Sequence, residues 1–190
     1  MSVRNGDKPL LLVAMMLSLA LMLAGFTIGF QTDMAAQSES PQPMSPEAGL
    51  TWLSALGRIL AANVPALCLL FSGVITGGVS TLIAWPLTAI YIGSTMRLGR
   101  THMGIGEVVA SIWIYAPIEF LGLLLGAGAG LIPVAAAIRS ALSASEAAGP
   151  LRQYLAMFPL ALKIFGIASV LVLAAALLEA TVLVTKGFSP

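Results

Sequence analysis

IGEVVASIWIYAPIEFLGLLLGAGAGLIPVAAAI, residues 105–138, is 34 residues long and carries only two charges, Glu107 and Glu119. As a straight helix it would measure about 50 Å, against about 30 Å of hydrocarbon in a bilayer. It is therefore too long for one simple crossing. Pro117 lacks the N–H of the helix ladder, which predicts a break near it, with a first part that is tilted or interfacial and a second part that crosses. Gly122, Gly126, Gly128 and Gly130 sit in the crossing part. A pattern search would take them for a phosphate loop, but inside a spanning helix small residues let another helix approach closely, so Gly122, Gly126 and Gly130 read as a packing face.

Downstream, a polar loop holding Arg139, Ser140, Ser143, Ser145, Glu146, Gly149, Pro150 and Arg152 leads to a last apolar stretch, Tyr154 to Thr185. That stretch reads as one long tilted or kinked helix, marked by Pro159, Lys163 and Gly166. Upstream, Arg97, Arg100 and His102 close a run from Gly57 to Leu98 that is about forty residues long, twice one span. Gly77 and Gly78 supply its turn, giving a second span of about Ile59 to Thr76 and a third of about Val79 to Met96. Pro65 and Pro86 should make both irregular.

Ahead of these, residues 31–50 hold Asp33, Glu39, Glu47, Pro41, Pro43 and Pro46 without apolar periodicity, the composition of a linker. Ser45, Pro46 and Glu47 have the chemistry of a helix start. Leu50, Leu53, Leu56 and Leu60, flanked by Trp52 and Ile59, form one stripe at the helical period, either a short interfacial amphipathic helix or the first turns of the next span. The first apolar run, Pro9 to Phe30, exceeds the 7 to 15 residues expected of a cleavable signal and reads as a signal anchor with a cytoplasmic N-terminus.

Composition agrees. Of 190 residues 58% are apolar and 9% charged, against about 25% charged in soluble domains, which excludes an ordinary cytosolic enzyme. A net charge of +1 leaves no basic face for nucleic acid. Cys68 is the only cysteine and His102 the only histidine, so disulfides and cysteine-rich metal sites are out, and the sequence offers no nucleophile–histidine–acid set, P-loop or HExxH. The expectation is an all-α polytopic membrane bundle of about five transmembrane helices with an interfacial amphipathic helix before the second, non-enzymatic and without cofactor. Its parts are a cytoplasmic tail and signal-anchor helix (1–30), an extracytoplasmic linker with a short amphipathic helix (31–57) and a helical membrane domain (58–190). With the N-terminus inside, Arg4, Lys8, Arg139 and Arg152 lie inside and Arg58, Arg97, Arg100 and Lys186 outside. That count is even, and the orientation rests on the first helix and the acidic linker.

Ionisable residues at membrane depth are Glu119, Lys163 and Glu179, each costing at least about 2.5 kcal/mol to insert, so they should face the bundle interior. A Glu119–Lys163 pair would have to bridge depths of about 28 Å and 16 Å from the loop between them, which needs the break at Pro117 or a long snorkel. Glu119 reads either as a proton or substrate relay or as an acid tying helices together, and Asn63 carries the same two readings.

The run Asn63-Val64-Pro65-Ala66-Leu67, then Phe71-Ser72-Gly73 and Gly77, then Gly93, then Ile118-Glu119-Phe120 with Gly126 to Leu131, and last Ala175-Ala176-Leu177-Leu178-Glu179-Ala180, resembles the stage II sporulation protein M family of bacterial integral membrane proteins. The similarity spans about Arg58 to Thr185. Where the family has Pro-His-Gly-x-x-Glu, this chain reads Ile114-Tyr115-Ala116-Pro117-Ile118-Glu119, matching the glutamate but placing Tyr115 at the histidine. The resemblance implies a component of the bacterial cytoplasmic membrane: a scaffold whose partners would be cell-wall enzymes, or other membrane subunits. A permease subunit working with an ABC-type ATPase is the alternative, and self-association is open to either.

Overall fold

The computed structural model describes residues 8–32, 51–143 and 149–187, and the regular structure among them is helical throughout. The elements are α1 (Lys8–Gln31), α2 (Trp52–Phe71) continued by a 3-10 turn (Ser72–Val74), α3 (Val79–Met103), α4 (Ile105–Ile112), α5 (Ala116–Leu142), α6 (Pro150–Ala156) and α7 (Phe158–Gly187). Among the described residues five stretches are long and apolar enough to cross a membrane: α1, α2 with its 3-10 extension, α3, α5, and α6 with α7. The chain is thus an all-α, multi-pass membrane bundle.

Local chemistry sets the boundaries. Gly77 and Gly78 take φ of 64° and 87°, a left-handed turn that a Cβ would disfavour, and the chain reverses there between α2 and α3. The break in 105–138 falls at Trp113–Tyr115. Pro117 occupies the first turn of α5, where its missing N–H costs nothing, whereas a helix continued from α4 would have lost a bond and met the proline ring. Pro159 acts in the same way on the expected single helix from Tyr154. It divides that stretch at Met157 into α6 and α7.

One expectation is revised by the cap of α2. Thr51 accepts the Ser54 N–H at 3.3 Å, and the helix then runs unbroken from Trp52, so Leu53, Leu56 and Leu60 and the second span are one element rather than an interfacial helix followed by a crossing. The Ser45–Pro46–Glu47 cap lies outside the described residues. An amphipathic segment does occur before the fourth crossing. In α4, Val108 is buried against Gly99 of α3, while Ile105, Val109 and Trp113 are exposed, a placement suited to the interface where tryptophan concentrates.

α5 is the hub. Of its apolar stretch 61% is buried, against 17–28% in the other four spans, because α1, α2, α6 and α7 all pack on it while α3 packs mainly on α1. One core cluster joins Leu67, Leu70, Trp85, Leu123, Ala127, Ala168 and Val172. A second joins Leu10, Ala14, Ala129, Leu131, Ile132, Ala136 and Ile164. The outward faces carry large apolar side chains such as Leu12, Leu69, Ile83 and Val170, as lipid contact requires.

Candidate functional site

Three helices bring polar side chains together near one end of the bundle. Asn63 lies in α2, Glu119 in the first turn of α5 and Glu179 near the end of α7, and each is half-buried. The Asn63 side chain is hydrogen-bonded to the Glu119 carboxyl, a tie between α2 and α5. Tyr115, just outside the α5 span, faces both carboxyls; burial first, then Glu179 and Glu119, push its phenol up to about 12. The phenol therefore stays protonated at neutral pH. Two residues beyond Glu179, Thr181 Oγ1 accepts the Trp52 Nε1–H at 3.2 Å, fastening the start of α2 to α7.

The expected inward placement fails for Lys163, whose side chain is exposed. The inner stripe of α7 is Ala161, Ile164, Ala168, Val172, Ala175, Ala176 and Ala180, and Lys163 falls off it. A pair with Glu119 is also out of reach. Gly122 of α5 packs at Ala168 and Val172 of the antiparallel α7, so Lys163 comes level with about residue 129, some 15 Å along the axis from Glu119. About one and a half turns into α7, its long stem can carry the ammonium to the near membrane surface.

The glycine face of α5 lies against this chain's own helices. A Cβ on Gly122 would stand 2.8 Å from Val172 Cγ2 and 3.1 Å from the Ala168 carbonyl oxygen. On Gly126 it would strike the Leu67 side chain, on Gly128 Met15, and on Gly130 the Leu70 carbonyl and the Thr81 hydroxyl. A second glycine interface went unread in the sequence. Gly25 and Gly29, a G-x-x-x-G pair in α1, lie on the backbone of α3 at Pro86 and Ile90, and Gly93 of α3 lies on α1 at Phe26 and Phe30. The G-x-x-x-G spacing is visible in the sequence, but the length of the first apolar run points only to an anchor.

Polar bonds lock these approaches. Ser18 Oγ donates to the Leu124 carbonyl at 3.0 Å, Trp85 Nε1 donates to the Ser18 carbonyl at 2.8 Å, and Thr81 Oγ1 donates to the Leu70 carbonyl at 2.6 Å. At the end of α1, Arg97 of α3 donates to the Gln31 carbonyl at 2.6 Å, satisfying an oxygen the helix leaves unpaired, and Arg100 stands 5.7 Å over the Phe30 ring. His102 is exposed on the last turn of α3. Among the described residues no group of three or more histidine, cysteine, aspartate or glutamate side chains is placed to hold a metal ion. In comparisons with known proteins, no family model, no curated protein and no solved structure matches this chain.

Proposed function

We propose that this protein is a non-enzymatic membrane subunit that organises a larger complex in the bacterial cytoplasmic membrane, in the manner its resemblance to stage II sporulation protein M implies. The observation that carries the reading is the Asn63–Glu119 bond beside Tyr115. A carboxyl held by a neighbouring helix and flanked by a phenol that keeps its proton is a tie between helices. Where the resembled family has a histidine, a group that gains and loses protons near neutral pH, this chain has Tyr115. Lys8, Arg139 and Arg152 lie toward one end of the bundle and Arg58, Arg97 and Arg100 toward the other, with Glu107, Glu119 and Glu179. The cations divide evenly, so the orientation, N-terminus inside, rests on the first helix, which usually dominates.

A second reading, the permease subunit of an ATPase-driven transporter, is favoured by one observation: Glu179 and Glu119 are close enough for their charges to interact. Purification from native membranes in mild detergent, with cross-linking and mass spectrometry of what accompanies the protein, separates the two. Cell-wall enzymes support the scaffold; an ATPase with a second permease supports transport. A lone monomer released from nanodiscs without any companion refutes both.

A further inference from the structure

The eight residues of α4, Ile105–Ile112, divide by chemistry around the helix. Ile105, Val109 and the adjoining Trp113 are exposed on one face, Val108 at the edge of that face is buried against Gly99 of α3, and the helical period puts Glu107 on the opposite side. The connection from α4 to α5 is tight. The Tyr115 N–H donates to the Ile112 carbonyl at 3.2 Å, while the Tyr115 carbonyl accepts the N–H groups of Ile118 at 3.1 Å and Glu119 at 3.0 Å. A displacement of α4 therefore carries Tyr115 with it, and the Tyr115 side chain faces Glu119 and Glu179. At the other end Gly104 has φ 87° and ψ 150°, a region of backbone space that glycine alone enters. A Cβ there would meet nothing within 4 Å. The glycine is thus required for its dihedrals only, as the pivot on which α4 turns away from α3.

We infer that α4 is a strap governed by the membrane surface: its apolar face docks into the leaflet at this end of the bundle, and its height there sets how closely Tyr115 covers Glu119 and Glu179. Three observations select lipid as the occupant of that face. The span of α3 ends just before α4 and the span of α5 begins just after it, which confines α4 to the surface of the bilayer. Val108 seated on Gly99 fixes the rotation of the helix and turns Ile105, Val109 and Trp113 away from the bundle. Eight residues extend about 12 Å, enough for these side chains to enter the headgroup boundary but far less surface than the about 800 Å² that a protein partner covers in a stable interface. Helices of this kind respond to the state of the leaflet that holds them. Because α5 is gripped by four helices while α4 packs mainly on α3, the leaflet moves α4 against a fixed α5. A thicker bilayer draws α4 and Tyr115 outward and uncovers the two carboxyls; a thinner one settles the phenol over them. The strap serves a scaffold or a permease equally.

The test uses the full chain in nanodiscs of phosphatidylcholine with either short or long monounsaturated acyl chains, and reads labelling of Glu119 and Glu179 by dicyclohexylcarbodiimide through peptide mass spectrometry. Labelling should rise several-fold from the thin bilayer to the thick one. Val109→Gln combined with Trp113→Gln removes the hold on lipid at two exposed positions, and labelling should then be equal in both bilayers. Tyr115→Ala should label strongly in both. Wild-type labelling that ignores thickness, a thickness dependence that survives in the double variant, or weak labelling of Tyr115→Ala overturns the inference. Should the double variant fail to fold, Trp113→Gln alone decides: the dependence is reduced or, against the inference, unchanged. A photoreactive residue in place of Val109 should cross-link to lipid in native membranes. Cross-links from that position to another protein overturn the choice of occupant.

Discussion

Gly29→Ala should destabilise the bundle by about 2 kcal/mol. The added Cβ would stand 2.7 Å from the Ile90 carbonyl carbon and 2.8 Å from Ile90 Cα, where carbon contacts prefer about 3.5–4.0 Å. The obstacle is helix backbone, which cannot swing aside as a side chain end can, so α1 and α3 must part by about 1 Å. Overpacking of this kind costs about 1–3 kcal/mol. The same separation stretches the 2.6 Å bond from Arg97 to the Gln31 carbonyl, and interhelical bonds in membranes contribute about 0.6 kcal/mol on average. Alanine returns up to about 1 kcal/mol of helix propensity, which leaves the net near 2. Gly166→Ala is the matched control. Nothing lies within 4 Å of its added Cβ, so only the propensity gain remains and the variant should equal or exceed the wild type. Reversible unfolding in mixed micelles, titrated with sodium dodecyl sulfate and followed by circular dichroism, reads both. A Gly29→Ala midpoint equal to wild type, or an equal loss in Gly166→Ala, refutes the close-packed α1–α3 interface.

Glu119→Gln should preserve stability because the amide can still bond Asn63, whereas Glu119→Leu should lose it. A double-mutant cycle of Glu119→Leu with Asn63→Leu should give a coupling of about 0.6–1.7 kcal/mol, and zero coupling would remove the tie. Tyr115→Phe should shift stability by a constant amount between about pH 6 and 9: the folded phenol is raised to about 12 from about 10 unfolded, so its protonated-state contribution is complete below 10 and lost only above it. A step in the difference near neutral pH would show a titrating group that Tyr115 controls. Single cysteines in a Cys68→Ala background should report the topology, Thr101→Cys reacting with an impermeant maleimide on intact cells and Leu151→Cys reacting only after permeabilisation. The reverse pattern inverts the bundle.

The features read correctly from sequence are those that depend on a few neighbouring residues. Pro117 at the start of α5 and the Gly77–Gly78 reversal are decided by a missing N–H and by positive φ, and both can be seen without knowing any partner. What stayed hidden depends on which helix faces which. Apolar periodicity cannot reveal this in a membrane protein, because lipid-facing and buried side chains are equally apolar: Leu12 is 63% exposed and Leu10 4%, two residues apart in one run. Lys163 was assigned inward from the cost of a charge in lipid, which overlooked how near the start of α7 it lies. The α5 glycines read as a packing face, but sequence does not show which helices meet it: α7 at Gly122, α2 at Gly126, α1 at Gly128, and α2 with α3 at Gly130. Of the polar cluster, Asn63, Glu119 and Glu179 were legible singly, and their convergence came only with the arrangement of α2, α5 and α7.

Five helices of such uniform apolarity have no hydrophobic reason to choose one arrangement, because lipid tails solvate them as well as each other. The choice has to come from groups that lose something when a neighbour is exchanged. Along the axis these recur at several levels and between several pairs of helices. Near the Gly77–Gly78 turn, the Tyr154 hydroxyl donates to the Val74 carbonyl at 2.7 Å and Thr81 bonds Leu70 between α3 and α2. About 15 Å from Lys8, Ser18 bonds α5 and receives Trp85 of α3. Toward the far end, Asn63 bonds Glu119 between α2 and α5, and Arg97 caps α1 from α3. Sliding α1 one turn along α3 would strand the Trp85 N–H in hydrocarbon and at the same time drive Ile90 off Gly29, so the polar and steric penalties coincide. Glu119 belongs to this set by position and partner. Its carboxyl does at one end of α5 what the serine and threonine hydroxyls do deeper in the bundle, and this is why the scaffold reading requires no chemistry from it.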